Sequence, residues 1–160
     1  MTDQTETKCG FMAILGAPNV GKSTLVNRLV GAKVSIVSPK VQTTRTRVLG
    51  ICLEQATQLI FIDTPGVFAP KRRLDRAMVA SAWGGAADAD SVLLMIDAKR
   101  GIDADSRIIL EKLRDQEKKA LLVINKIDLI DKQKLLALAE SLNESGSFTD
   151  IFMISAETGD

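Results

Sequence analysis

No histidine occurs among the 160 residues, and only two cysteines do, Cys9 and Cys52. Without histidine or a Cys-x-x-Cys pair, the common zinc sites and dithiol redox motifs are excluded. Both thiols are expected to be reduced, as in a cytosolic protein. An excess of one charge is missing too: 21 Lys and Arg stand against 20 Asp and Glu, a net charge of +1. So balanced a chain has no overall electrostatic footprint for nucleic acid. Local basic runs exist, Arg45 with Arg47 and then Lys71, Arg72, Arg73 and Arg76. They read as a solvated face or as an RNA or partner contact. No apolar run approaches the ~20 residues of a membrane span, and no secretory signal pattern opens the chain. Internal repeats and low-complexity tracts are absent as well. What is present is a 46% hydrophobic content and a mean hydropathy of +0.11. That suffices to bury the core of one domain, expected in the cytoplasm. Residues 1–9 read as a flexible polar lead-in and 10–160 as the folded domain.

Gly16-Ala17-Pro18-Asn19-Val20-Gly21-Lys22-Ser23 matches G-x-x-x-x-G-K-[ST] without a substitution. It follows the apolar run 11–15 and opens a helical pattern at Ser23 and Thr24. In that context the loop's backbone N–H groups turn inward around a phosphate chain, and the helix N-terminus adds its dipole. Lys22 would reach the β- and γ-phosphates, and the Ser23 hydroxyl would bind Mg²⁺. Asn125-Lys126-Ile127-Asp128 follows a second apolar run, 120–124. An ionised Asp128 offers two acceptors to the N1–H and 2-amino donors of guanine, which adenine lacks. This argues against an ATPase or kinase. Asn125 can bond the far edge of the base and tie neighbouring loops together, while the Lys126 stem lies over the ring. Asp63-Thr64-Pro65-Gly66 ends the run 59–62. Asp63 is placed to hold Mg²⁺ through a water, and the Gly66 N–H to meet a γ-phosphate. Ser155 and Ala156 follow a further apolar run, 151–154, and their N–H groups are candidates for the guanine 6-oxo group.

Apolar runs and turn signals predict strands at 11–15, 47–53, 58–62, 91–96, 120–124 and 150–154, and helices at 23–30, 72–87, 104–117 and 132–143. Residues 54–57 are too few for a helical crossover, so the second and third strands should be antiparallel. Residues 31–46 form a long polar connection, expected to be a switch segment.

Four such loops, each after a strand, resemble the Ras-like P-loop GTPase fold. That fold is α/β: a six-stranded, mostly parallel sheet with one antiparallel strand and helices on both faces. Gly-x-Pro-Asn-x-Gly-Lys-Ser, then Gln42-Thr43-Thr44-Arg45, then Asp-Thr-Pro-Gly, is similar to the Era branch of translation-associated bacterial GTPases. The segments 35–45 and 68–74 carry the same resemblance. Many members carry His where Thr46 stands, so no role of that residue transfers. The resemblance implies GTP hydrolysis to GDP and phosphate, with Mg²⁺ held by Ser23 and a threonine of the switch. Thr43 and Thr44 compete for that role, and Thr44 is preferred, with Gln42 and Thr43 alongside the nucleotide. It also implies a K⁺ ion acting where an arginine finger would, with Asn19 among its ligands; a turn-forming role for Asn19 is the alternative. The position that often carries a water-orienting glutamine is Val67. Either another group does that work, or the chain is a guanine-nucleotide-dependent binding module with negligible hydrolysis unless a partner assists. Family members act in small ribosomal subunit assembly on 16S rRNA, mainly through a C-terminal KH domain, and peripheral membrane association is attributed to them. That domain and the last helix of a Ras-like fold are not among these 160 residues, and a monomer is the expected state.

Overall fold

The computed structural model describes residues 6–32, 48–146 and 148–160. The candidate switch residues Gln42, Thr43 and Thr44 lie outside the described residues. Among the described residues six strands and four helices follow one another along the chain. They are β1 (Lys8–Gly16), α1 (Lys22–Val30), β2 (Val48–Glu54), β3 (Thr57–Asp63), α2 (Arg73–Asp88), β4 (Ser91–Asp97), α3 (Ala104–Asp115), β5 (Ala120–Asn125), α4 (Lys132–Ser145) and β6 (Phe148–Met153). A short 3₁₀ turn, Ile127–Leu129, follows β5.

The sheet runs in the order β2-β3-β1-β4-β5-β6. As expected from the short connection, β2 and β3 are antiparallel, with Glu54 opposite Thr57 and only Gln55 and Ala56 between them. The other neighbours are parallel. β1 begins three residues before the expected Phe11, because the Lys8 N–H donates to the Ala56 carbonyl at 2.9 Å and Lys8 pairs with Thr57.

The chain leaves β1 toward β2 and β3 on one side and returns to β4 on the other. The strand order therefore reverses at β1, and the loop after β1 emerges at the switch point where open α/β sheets bind ligands. The carboxyl ends of β3, β4, β5 and β6 open on the same edge.

Apolar side chains fill both faces. Leu15, Ile62, Leu94, Ile96, Leu122 and Ile124 pack beneath α2, α3 and α4 with Ile109 and Leu142. Ile14, Phe61, Met95 and Val123 pack on the other face with Leu25 and Val26 of α1. The continuous apolar runs of β4 and β5 are those of strands covered on both sides. Short-range carboxylates start three helices. Asp103 accepts from the Ser106 N–H at 2.8 Å and Asp131 from Lys134 at 2.9 Å. Asp75 reaches back to the Arg72 N–H at 2.9 Å. No helix among the described residues is long and apolar enough to cross a membrane.

Candidate functional site

The loop 16–21 between β1 and α1 wraps the end of the sheet. Gly21 has φ 105°, in the left-handed region, and a Cβ there would collide with the Asn125 amide. Asn19 also has a positive φ, 62°, which asparagine tolerates. For N–H groups to converge on an anion, carbonyls must turn outward, and each then needs a donor. Every carbonyl of this loop has one. The Val67 N–H donates to Gly16 at 2.9 Å, and Lys22 Nζ donates to Ala17 at 2.9 Å and to Gly16 at 3.3 Å. Arg100 Nη1 donates to Pro18 at 2.7 Å and Lys126 Nζ to Asn19 at 2.7 Å. Asn125 Nδ2 donates to Val20 at 2.8 Å, and the Leu25 N–H of α1 to Gly21 at 2.9 Å.

Lys22 and Ser23 open α1 and are buried; Thr24 beside them is half-buried. Burial pushes the Lys22 ammonium down to about 8, against the pull of Asp63 and with a further push from Arg100. A polyanion brought to it would reverse that shift. The Ser23 hydroxyl donates to Asp63 Oδ2 at 2.8 Å, across 40 residues of sequence. A hydroxyl and a carboxylate brought together beside a phosphate-type loop form the hard-oxygen donor set that Mg²⁺ prefers. Among the described residues no cluster of three or more His, Cys, Asp or Glu exists.

The segment from Asp63 to Val67 is buried throughout. The Thr64 hydroxyl donates to the Ile14 carbonyl at 2.6 Å, so its side chain ties β3 to β1. Pro65 leads to Gly66, where a Cβ would stand 2.8 Å from both N and Cα of Pro18. Only glycine lets these two backbones touch. Val67 packs in the core under α2–α4, with its side chain fully buried. It therefore has neither the chemistry nor the position to orient a water.

Asn125 is 2% exposed and bonds at both ends. Besides donating to Val20, it accepts the Ala156 N–H on Oδ1 at 2.9 Å. One side chain thus joins the phosphate loop to the loop after β6. Lys126, at φ 65°, turns its ammonium to Asn19 and to Asp97 Oδ2, both at 2.7 Å. Asp128 sits exposed on the 3₁₀ turn, with no hydrogen-bond partner among the described residues. The N–H groups of Ser155 and Ala156 have acceptors of their own. Ser155 donates to the Asp160 carbonyl at 3.0 Å and Ala156 to Asn125. The 6-oxo contact expected there requires that one of these bonds be exchanged.

Three residues outside the recognised motifs complete the site. Asp97 ends β4 as Asp63 ends β3, and it is 4% exposed. Its Oδ1 accepts the N–H groups of Lys99 at 2.9 Å and Arg100 at 3.2 Å. A polar residue directly after the buried run 91–96 was the sequence signal for it. Arg100 and Arg28 carried no such signal. Arg28 of α1 donates from Nε to the Ala156 carbonyl at 2.6 Å and from Nη2 to Glu157 at 2.5 Å.

Residues 11–126 match the family described as 50S ribosome-binding GTPase. GTPase Era of Bradyrhizobium diazoefficiens is 59% identical over 154 residues, which are 96% of this chain and 50% of that protein. GTPase Era of Brucella suis is 55% identical over 158 residues, 99% of this chain and 51% of its own. This chain thus spans about half the length of the curated relatives it matches. A crystal structure of Era with MgGDPNP and a segment of 16S ribosomal RNA superposes with a TM-score of 0.90 at 42% identity, over 96% of this chain and 53% of that one. A variant of Aquifex aeolicus Era bound to GDP·AlF₄⁻ gives 0.87 at 43% identity, with the same coverage of each chain.

Proposed function

Because this chain belongs to the family of 50S ribosome-binding GTPases, we propose that it binds GTP with Mg²⁺ and hydrolyses it to GDP and phosphate, as the GTPase part of an Era-like protein. One observation carries this reading. The phosphate loop, Asp63–Gly66 and Asn125–Asp128 converge on one carboxyl edge, and Asn125 bonds both Val20 and the Ala156 loop.

Phosphoryl transfer asks a protein for positioning and charge, with little covalent chemistry. Lys22 leaves the carbonyls of Gly16 and Ala17 for the β- and γ-phosphates. The N–H groups of 19–22 and the N-terminus of α1 would cradle the same chain. Mg²⁺, when bound, neutralises charge on the β- and γ-phosphate oxygens; Ser23 would hold it, with Asp63 beside it and Thr44 as the proposed switch ligand. Gly66 offers its N–H to the γ-phosphate from its seat on Pro18. Asp128 reads the N1–H and 2-amino groups of guanine, and its loop is held by Asn125. Ser155 and Ala156 line the far side of the base.

Val67 supplies no water-orienting group, and the proposed substitute is K⁺ with Asn19 among its ligands. Phosphate release from GTP in matched KCl and NaCl tests this. Release is faster in KCl, and Asn19→Ala removes the difference; equal rates in the two salts for the unmodified chain overturn the K⁺ role. The buried Val67 also favours a second reading, a guanine-nucleotide switch whose hydrolysis waits for a partner. Tight GDP binding without phosphate release in a single turnover would select it. For the intact protein, the complex of an Era relative with a 16S rRNA segment supports the small ribosomal subunit as partner.

A further inference from the structure

Five of the six carbonyls of the phosphate loop are satisfied by residues of the recognised motifs, by Val67 directly after one, or by α1 itself. The exception is Pro18, whose donor is Arg100, 82 residues away and in none of those motifs. We infer that Arg100 is a positioning residue for the γ-phosphate end of the site, acting through Pro18 on Gly66. This rests on the GTP-binding reading above.

Arg100 is held where it is by its own loop. Its backbone N–H donates to Asp97 Oδ1 at 3.2 Å, and the Gly101 N–H donates to the Asp97 carbonyl at 2.9 Å. The guanidinium pairs with Asp103, the N-cap of α3, and lies 3.9 Å from Asp105. A fork restrained by two carboxylates has lost much of its rotamer freedom before it meets its acceptor, so less is lost on bonding. The acceptor belongs to a residue with no N–H of its own, buried, whose N and Cα form the surface on which Gly66 rests. Moving the Pro18 peptide plane moves that surface. The β- and α-phosphate cradle farther along the loop is held independently, by Lys126 at Asn19 and Asn125 at Val20. Loss of Arg100 should therefore be felt where Gly66 meets the third phosphate, and little by a diphosphate.

This separates a positioning role from a merely structural one. Binding of fluorescent GDP and of a fluorescent non-hydrolysable GTP analogue is measured with Mg²⁺ for the unmodified chain, Arg100→Met and Arg100→Lys. Methionine keeps the stem and removes all donors; lysine keeps one donor and the charge. Arg100→Met is expected to weaken the triphosphate analogue about tenfold, the value of one partly exposed charged hydrogen bond. GDP should change by less than about threefold, and Arg100→Lys should recover part of the loss. Thermal unfolding without nucleotide reports folding separately. Equal weakening of both nucleotides, or no change in either, overturns the inference while the unmodified chain still binds. If the unmodified chain binds neither nucleotide, the GTP-binding reading falls and this inference with it.

Discussion

Asn125→Ala removes the side chain that joins the two halves of the proposed nucleotide site, and the structure sets the size of the effect. The amide makes two buried bonds, 2.8 Å to the Val20 carbonyl and 2.9 Å from the Ala156 N–H. Alanine leaves a buried acceptor and a buried donor behind. Each such loss costs about 1–2 kcal/mol, so the variant should lose about 2–4 kcal/mol. At about 2–4 °C per kcal/mol for a domain of this size, Tm falls by about 5–15 °C. Asn125→Asp should do no better. It keeps an acceptor for Ala156 but sets a carboxylate against the Val20 carbonyl. Thermal unfolding followed by circular dichroism, without nucleotide, measures the stability loss, and GDP affinity should fall in parallel. A Tm within about 2 °C of the unmodified chain would refute the claim that this bridge holds the loops together.

Lys22→Met should abolish nucleotide binding and leave the nucleotide-free chain folded, because removing a buried cation offsets the loss of the donor to the Ala17 carbonyl; GDP binding and chemical denaturation check the two. Lys22 titrates at about 8 when folded and at 10.5 when unfolded, so the unfolded chain holds the proton more tightly. This group's contribution therefore makes the free protein more stable as pH rises from about 8 to 10.5. Phosphates restore the charge, so nucleotide binding near pH 8 should take up about half a proton, and affinity should fall above that pH. Calorimetry in two buffers of different ionisation enthalpy measures the uptake. Asp128→Asn should move preference from guanine to xanthine nucleotides, whose carbonyl replaces the 2-amino donor; unchanged GDP preference in competition binding would contradict the base-reading role. Gly66→Ala, which sets a Cβ 2.8 Å from the Pro18 backbone, should slow hydrolysis about tenfold or more while GDP affinity stays nearly unchanged.

Much of this molecule is legible in order along the chain. The runs 91–96 and 120–124 read as strands because strands buried on both faces need no alternation, and their polar successors mark the edge where the site lies. The 16–23 loop is legible because its residues are consecutive and the chemistry proposed for it rests on the backbone. The short β2–β3 connection made antiparallel pairing a matter of chain length. What escaped was long-range or directional. Arg100 to Pro18 and Arg28 to Ala156 span 82 and 128 residues, and nothing local marks either arginine. The Thr64 hydroxyl turns to the Ile14 carbonyl. Side-chain direction at a strand end follows from packing, which a motif does not encode. The Ser155 and Ala156 N–H groups likewise proved to have protein acceptors, which only the path of the neighbouring loop reveals.

Guanine-specific triphosphate hydrolysis is the activity proposed for the site at the ends of β1, β3 and β5. Its most direct test is phosphate release in a single turnover, with GTP and ATP compared in KCl with Mg²⁺ and with the Mg²⁺ chelated. Release is expected from GTP only and is lost on chelation. Equal release from ATP, or release indifferent to Mg²⁺, would contradict it.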